Sequence, residues 1–292
     1  MDGFINVLKP VGLSSHDVVD IVRRIFKQKR VGHAGTLDPA AAGILPVALG
    51  RAVRLVEYME GAEKSYRAEI AFGYATDTGD VYGDVTASVP NPVLPSEAGL
   101  RAVLGRFAGE ITQTPPAYSA IKVGGQRAYD LVRQGAEVEL PTRTVTIHRL
   151  ALLYVDGERR RILVDVDCGK GTYIRSLCMD IGAALGLPAT MRFLLRTRVG
   201  GFFLVDAYTL EELAGVGTAA LRPPDGALNL PCYELAPHRV RAFYSGLSTT
   251  ERRVELSAGL YRVYAEGVFL GVGRYDAVGQ EMYPEKTFPP FD

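Results

Sequence analysis

The chain has only three cysteines among 292 residues, carries no net charge, and lacks any apolar run long enough to cross a bilayer. Each shortage excludes something. Cys168, Cys178 and Cys232 are odd in number and form no Cys-x-x-Cys pair, so neither a disulfide frame nor a zinc knuckle is expected and a reducing compartment fits. Lys plus Arg and Asp plus Glu both number 33, which counts against a uniformly basic nucleic-acid-binding domain. The opening Met-Asp-Gly-Phe lacks the basic and apolar regions of a signal peptide, so the expectation is a cytoplasmic protein with no membrane contact. There is no His-Glu-x-x-His, no Gly-x-Ser-x-Gly and no clustered His/Cys set; neither a metal site nor a serine triad is indicated. The run Gly169-Lys170-Gly171-Thr172 fails the phosphate-loop pattern, because glycine follows the lysine and Val164 stands where glycine is required.

What is present is ordinary in bulk, 47% hydrophobic and 23% charged, in a chain long enough for one large domain or two. Residues 4–8 read as a buried strand, followed by a Lys9-Pro10-Val11-Gly12 turn. Ser14 and Asp17 make a capping box, and Val18, Val22, Ile25 and Phe26 follow at helical spacing. Arg23, Arg24, Lys27, Lys29 and Arg30 crowd that segment's other side; such a run is usually a solvated face. Val53, Val56 and Met59 predict a helix closed by Gly61. Residues 66–72 alternate as a half-buried strand with Tyr66, Ala68, Ile70 and Phe72 on one face. Residues 73–95 read as loop, and Ser96 caps a further helix.

Residues 112–142 differ from their surroundings. Thr-Pro-Pro, a Gly124-Gly125 hairpin signal and a short helix through Tyr129, Leu131 and Val132 read as a projecting insertion rather than core. Residues 144–155 and 161–168 pair as an antiparallel hairpin, and Ile174, Leu177, Ile181 and Leu185 form a helical stripe ended by Gly186. Strands are expected at 192–197 and 199–205, a linker at 221–231, and an all-β module beyond. The expected class is α+β, with a mixed or antiparallel sheet and flanking helices over 1–230 and a small β domain over 232–292.

The chain is organised around residues 31–43, where one carboxylate, Asp38, stands among near-bare neighbours. Glycines at 32, 35 and 43 permit close approach, and Pro39 holds Asp38 on a stiff corner. Taken alone, the stretch also fits a plain Asp-Pro turn. Likewise, Arg175 fits a solvated first helical turn, Tyr66 fits core packing, and His33 fits a cap on its glycine loop.

Read together, five segments form an ordered pattern: Lys9-Pro-x-Gly12, Val31-Gly-His-Ala-Gly-Thr-Leu-Asp-Pro-x-Ala-x-Gly-Ile-Leu45, Lys64-x-Tyr66-x-Ala68, Cys168-x-x-Gly171-Thr-Tyr-Ile-Arg-Ser-Leu177 and Leu195-Arg-Thr-x-x-Gly200. The chain resembles the bacterial TruB-type tRNA pseudouridine-55 synthases, relatives of the dyskerin enzymes, from residue 4 onwards. The resemblance implies isomerisation of a T-loop uridine flipped out of its stack, with Asp38 as nucleophile or base. It gives Arg175 the role of the aspartate's partner, and Tyr66 that of base-stacking residue and candidate acceptor of the C5 proton. His33 resembles the residue that replaces the flipped nucleotide in the stack. Tyr173 walls the pocket, Lys9 supports it, and Gly35, Thr36 and Leu37 line it. Arg23, Arg24, Lys27, Lys29, Arg30, Lys122 and Arg127 are the candidate phosphate contacts. The resemblance further implies no metal or organic cofactor, the T-arm of tRNA as partner, no obligate protein partner, and a PUA-like RNA-binding module at 232–292.

Three rivals remain. A tRNA-binding or tRNA-folding protein on the same scaffold would not need Asp38, Tyr66 and Arg175 together. A tRNA-guanine transglycosylase needs a zinc site that three scattered cysteines cannot supply. A guide-RNA-dependent dyskerin-like enzyme would carry a larger C-terminal region.

Overall fold

Alternating β-rich runs become one large mixed sheet. The structure, a computed structural model, describes residues 1–119, 121–123, 125–127, 140–250 and 256–290. Strands β1 (Gly3–Lys9), β2 (Val31–His33), β3 (Ala42–Leu49) and β4 (Lys64–Phe72) are followed by a small hairpin, β5 (Tyr74–Thr76) and β6 (Val85–Ser88). Next come β7 (Gly109–Gln113), the two-residue pair β8 (Lys122–Val123) and β9 (Gln126–Arg127), β10 (Arg143–Asp156), β11 (Arg161–Cys168), β12 (Ala189–Val199) and β13 (Phe202–Phe203). The central order is β1-β3-β12-β4-β11-β10-β7, with β2 beside β3 and β13 beside β12. Helices α1 (Ser15–Ile25), α2 (Glu97–Gly105), α3 (Ile174–Ala184) and α4 (Leu210–Val216) accompany it.

Two antiparallel blocks meet at a single parallel seam, where Leu195 and Arg196 of β12 register with Ala42 and Gly43 of β3. On the β4 side, Ala68, Ile70 and Val164 pack with Leu100 of α2 and Leu177 and Ile181 of α3. On the β1 side, Ile5, Val7 and Val47 pack with Val18 and Val22 of α1 and Leu213 of α4. The α1 capping box forms as its sequence requires: Ser14 Oγ accepts the Asp17 amide and the Asp17 carboxylate accepts the Ser14 amide.

The C-terminal strands are β14 (Cys232–Glu234), β15 (Thr249–Thr250), β16 (Gly259–Ala265), β17 (Val268–Asp276) and β18 (Glu281–Thr287). They form a five-stranded sheet ordered β14-β16-β17-β18-β15. Its core holds Tyr233, Phe243, Val263, Tyr275 and Met282. The module packs against the tight 3₁₀ segment Gly50–Met59 through Val272, Phe288 and Leu55, with Lys286 3.0 Å from Glu57.

Some expectations change. Residues 73–95 are not simply loop: β5 and β6 pair, and side chains close the tip, where Asp77 Oδ1 accepts the Asp84 amide and Asp80 Oδ1 accepts the Tyr82 amide. Asx bonds of this kind hide a hairpin from a reading based on strand alternation. Residues 50–59 wind as 3₁₀, not α. The strand expected at 199–205 is cut short, since Gly200 (φ +52°) turns the chain into the two-residue β13 and a 3₁₀ turn at Leu204–Asp206. The 221–231 stretch is tied to β1, for Phe4 and Arg222 exchange backbone bonds of 2.9 and 2.7 Å. The C-terminal module also holds a short helix, α5 (Val240–Tyr244). The helix expected through Tyr129, Leu131 and Val132 lies outside the described residues.

The seam depends on Gly43. Its φ is +120°, and an added Cβ would lie 2.3 Å from the Arg196 carbonyl oxygen and 2.4 Å from its nitrogen. Backbone cannot yield as a flexible side chain can. Gly43→Ala should destabilise the fold by roughly 3 kcal/mol, lowering Tm by roughly 6–12 °C. Calorimetry checks this, and an unchanged Tm would mean that the two blocks are not clamped here.

Candidate active site

Asp38 lies on a segment with no regular structure of its own, so its backbone groups need partners from elsewhere. Four partners come from outside the loop, and one bond closes within it. Ala34 N donates to the Pro46 carbonyl (2.9 Å), Gly12 N to the Pro39 carbonyl (2.8 Å), and Ala41 N to the Asp38 carbonyl (3.0 Å). Buried Ser15 clamps Leu37 at both ends: its Oγ accepts the Leu37 amide (2.8 Å) and donates to the Leu37 carbonyl (3.0 Å). Beneath the loop lies Arg196, fully buried. Its Nη1 and Nη2 donate to the Thr36 and Gly35 carbonyls (3.2 and 3.0 Å), and its Nε donates to the Ile44 carbonyl (2.8 Å). The Asp-Pro turn is therefore real, and it also holds a carboxylate in place.

That carboxylate meets Arg175. The Arg175 Nη2 to Asp38 Oδ2 distance is 2.9 Å, with Arg175 6% exposed and Asp38 38% exposed. Arg175 is thus no solvated first-turn residue. Nη1 also donates to the Thr78 carbonyl (2.9 Å) at the β5–β6 tip, and Nη2 to the Tyr118 carbonyl (3.0 Å). One guanidinium ties the acid to two other segments.

Tyr66 is nearly buried on β4, packed in the cluster that contains Leu37 and Ala41. It registers with Arg196 on β12, which brings the Arg196 guanidinium charge close to its hydroxyl. Burial pushes the phenol up, while the Arg196 charge pulls it back down. Tyr173 is the N-cap of α3. Its ring stands 5.2 Å from the Arg143 guanidinium, and Gln113 brackets its backbone, accepting the amide at 3.1 Å and donating to the carbonyl at 3.3 Å. Lys9 is fully buried at the end of β1, with Nζ donating to the Pro10 and Leu13 carbonyls (2.8 and 2.7 Å). Burial lowers its pKa to about 8, against the opposing pull of Asp38.

His33 is half-buried on β2, and its Nδ1 has no hydrogen-bond partner among the described residues. Burial, with Arg196 and His16 nearby, holds the imidazole towards its neutral form. His33, Gly35 and Thr36 line a cleft of about 310 Å³ with Val56, Met59, Glu60 and Lys64. The basic candidates divide. Arg24, Lys27, Lys29 and Arg30 are exposed beyond the middle of α1, whereas Arg23 is engaged by Asp20 (2.7 Å) and the Val31 carbonyl (3.2 Å). Lys122 and Arg127 are register partners in the β8–β9 hairpin, but their side chains, like residues 128–139, lie outside the described residues.

The structure therefore brings Arg175 onto Asp38 and sets Lys9 and Tyr66 within electrostatic reach of that carboxylate, with Tyr173 two residues before Arg175 at the cap of α3, and it adds two residues the motifs had not singled out. Ser15 follows the capping serine and carried no separate signal. Arg196 stood in the Leu-Arg-Thr motif without a role. Chemically, the site offers one immobilised, partly exposed carboxylate with Tyr66 nearby and three fixed cations, Arg175, Arg196 and Lys9, around it. That arrangement suits attack by, or proton transfer to, a carboxylate while negative charge develops on the departing group.

Comparison with known proteins gives the same direction. A family model described as "TruB family pseudouridylate synthase (N terminal domain)" matches residues 23–174, and one described as "tRNA pseudouridylate synthase B C-terminal domain" matches residues 175–223. The latter covers α3, β12 and the segment after them, not the β module beyond residue 232. The tRNA pseudouridine synthase B of Moorella thermoacetica is 49% identical over 253 residues, covering 84% of this chain and 83% of that protein. Its namesake from Caldanaerobacter subterraneus subsp. tengcongensis is 43% identical over 289 residues, covering 99% of each. Among solved structures, a chain of an H/ACA RNP bound to a substrate RNA containing 2'-deoxyuridine superposes with a TM-score of 0.76 at 27% identity, over 99% of this chain and 85% of that one. A chain of a Cbf5-Nop10-Gar1 complex gives 0.75 at 29% identity, over 99% and 85%. With the Asp38 loop, its buried arginine and the mixed sheet already in place, these matches settle the family: the chain belongs to the TruB family of pseudouridylate synthases.

Proposed function

We infer that this chain isomerises a T-loop uridine of tRNA to pseudouridine, with Asp38 as the catalytic carboxylate. The observation that carries the reading is the 2.9 Å contact between buried Arg175 and the partly exposed Asp38 carboxylate. The N1–C1′ bond breaks, uracil turns, C5 joins C1′, the C5 proton leaves and N1 gains one, so the atoms balance without a cofactor. Asp38 acts beside the ribose, either on C1′ as nucleophile or on the C2′ proton as base, and the Arg175 guanidinium orients it. Tyr66 stacks on the flipped base and is placed to take the C5 proton. His33 fills the gap left in the RNA stack, and Lys9 holds the pocket floor.

Residues 1–230 serve as the catalytic unit and 232–292 as a PUA-like RNA-binding unit, supported by the separate sheet and core of the latter. Stand-alone action is favoured over guide-dependent action, because a relative named tRNA pseudouridine synthase B aligns with 99% of this chain and 99% of its own length. Among the described residues no helix is long and apolar enough to cross a membrane.

Incubation with an unmodified tRNA transcript and mapping of pseudouridine tests the activity. Asp38→Asn should cut the single-turnover rate by roughly 10⁴-fold or more with tRNA affinity largely kept; turnover near wild type would overturn the assignment. Arg175→Lys keeps the charge but loses the planar fork that reaches Asp38, Thr78 and Tyr118 together. It should slow the chemical step by roughly a hundredfold, the scale of a misplaced catalytic group, again at near-normal affinity. Binding itself should weaken steeply with salt despite the zero net charge, and replacing Arg24, Lys27, Lys29 and Arg30 with serine should flatten the plot of log affinity against log salt. An unaltered slope would remove that patch from the RNA interface.

A further inference from the structure

Arg196 is the largest fully buried side chain among the described residues, and the reaction scheme gives it no task. Burying a guanidinium costs several kcal/mol unless its donors are satisfied. Here the satisfaction comes from one place. Three donors go to carbonyls of Gly35, Thr36 and Ile44, which flank Asp38 on both sides, and Arg196 stands directly across the strand pairing from Tyr66. No salt bridge to Arg196 is found among the described residues.

We propose that Arg196 is a positioning residue that sets the Asp38 loop and the Tyr66 hydroxyl in a single geometry, so that the acid at the ribose and the acceptor at the base stay in register. The inference rests on the pseudouridine synthase reading. Lysine cannot reproduce it, because one ammonium on a flexible stem cannot span three carbonyls in fixed directions. An arginine serving only to fill the core would, on replacement, lower stability and leave the folded enzyme fast.

The test uses the full chain and an unmodified tRNA transcript. Arg196→Lys, Arg196→Gln, Tyr66→Phe and the double variant Arg196→Lys/Tyr66→Phe are read for Tm, tRNA affinity and single-turnover rate. The expected result is a loss of roughly tenfold to a thousandfold in the rate of folded Arg196→Lys, with affinity within about threefold of wild type. The double variant should lose less than the product of the single losses, because the two residues are neighbours across the β12–β4 pairing. A folded Arg196→Lys enzyme with wild-type rate overturns the proposal, as do losses that simply multiply. Should Arg196→Lys lose stability, its rate and that of Arg196→Gln are read well below their Tm: a wild-type rate overturns the proposal, and a slow step at intact affinity supports it. Absence of pseudouridine in the wild-type reaction would instead overturn the functional reading.

Discussion

The constraint on which the site depends is that a loop rich in small residues cannot hold a carboxylate still by itself. Residues 34–41 contribute few large side chains and no ladder, so immobilisation has to come from hydrogen bonds to their backbone. Ser15, Gly12, Pro46 and Arg196 supply these from four different elements. Each donor or acceptor is itself fixed: Ser15 in the first turn of α1, Pro46 in β3, Arg196 in β12. The small side chains leave the ligand side of the loop open while the scaffold grips the opposite side. Precision at Asp38 is therefore a property of the sheet seam and of α1, and the loop inherits it.

Arg175 extends the same logic. It is buried on the first turn of α3, where it pairs with Asp38 and also donates to the carbonyls of Thr78 and Tyr118. Tyr118 belongs to the stretch that leaves the core towards the β8–β9 hairpin. Gln113 and Ser176 fasten that root to the same helix, through Tyr173 and through the Thr114 carbonyl at 2.7 Å. A displacement of the root would thus be felt at a guanidinium that touches the acid. Packing at α3 is close enough to transmit it, since a Cβ on Gly182 would meet Ala189 at 2.4 Å.

How far the site was legible follows from the same physics. Asp38 stood out because a lone carboxylate among glycines and alanines has no packing reason to be there. Tyr66 was placed correctly on the apolar face of its strand by simple alternation. The burial of Arg175 left a fainter trace: Cys178 and Gly182, three and seven residues on, share its face and let the helix approach the sheet, but an arginine at a first turn reads as solvated. Arg196 was hidden by geometry. Alternation groups it with Arg198 on one face, and a register irregularity between them in the β12–β4 pairing separates the two, so that Arg196 is fully buried and Arg198 partly exposed. A bulge is a feature of pairing between strands and leaves no pattern within one. The β5–β6 hairpin was missed similarly, because side-chain bonds of Asp77, Thr78 and Asp80 define its turn.

The balance of charge in the pocket completes the account. The whole chain is neutral, yet Asp38 faces Arg175 directly while Lys9 and Arg196 lie behind it, each held by backbone carbonyls. Cations fixed in this way do not need to reorient when charge moves, and in a partly desolvated site their effect is larger than in water. On the proposed reaction, breaking the N1–C1′ bond leaves the uracil negatively charged until C5 attaches. A pocket whose positive groups are already locked favours that state over the intact nucleoside. The low-exposure position of Lys9, with its pKa drawn down to about 8, shows the tension in this design: burial favours losing the proton, and the Asp38 carboxylate favours keeping it. The Asp38 carboxylate thus opposes the effect of burial on both Lys9 and Arg196.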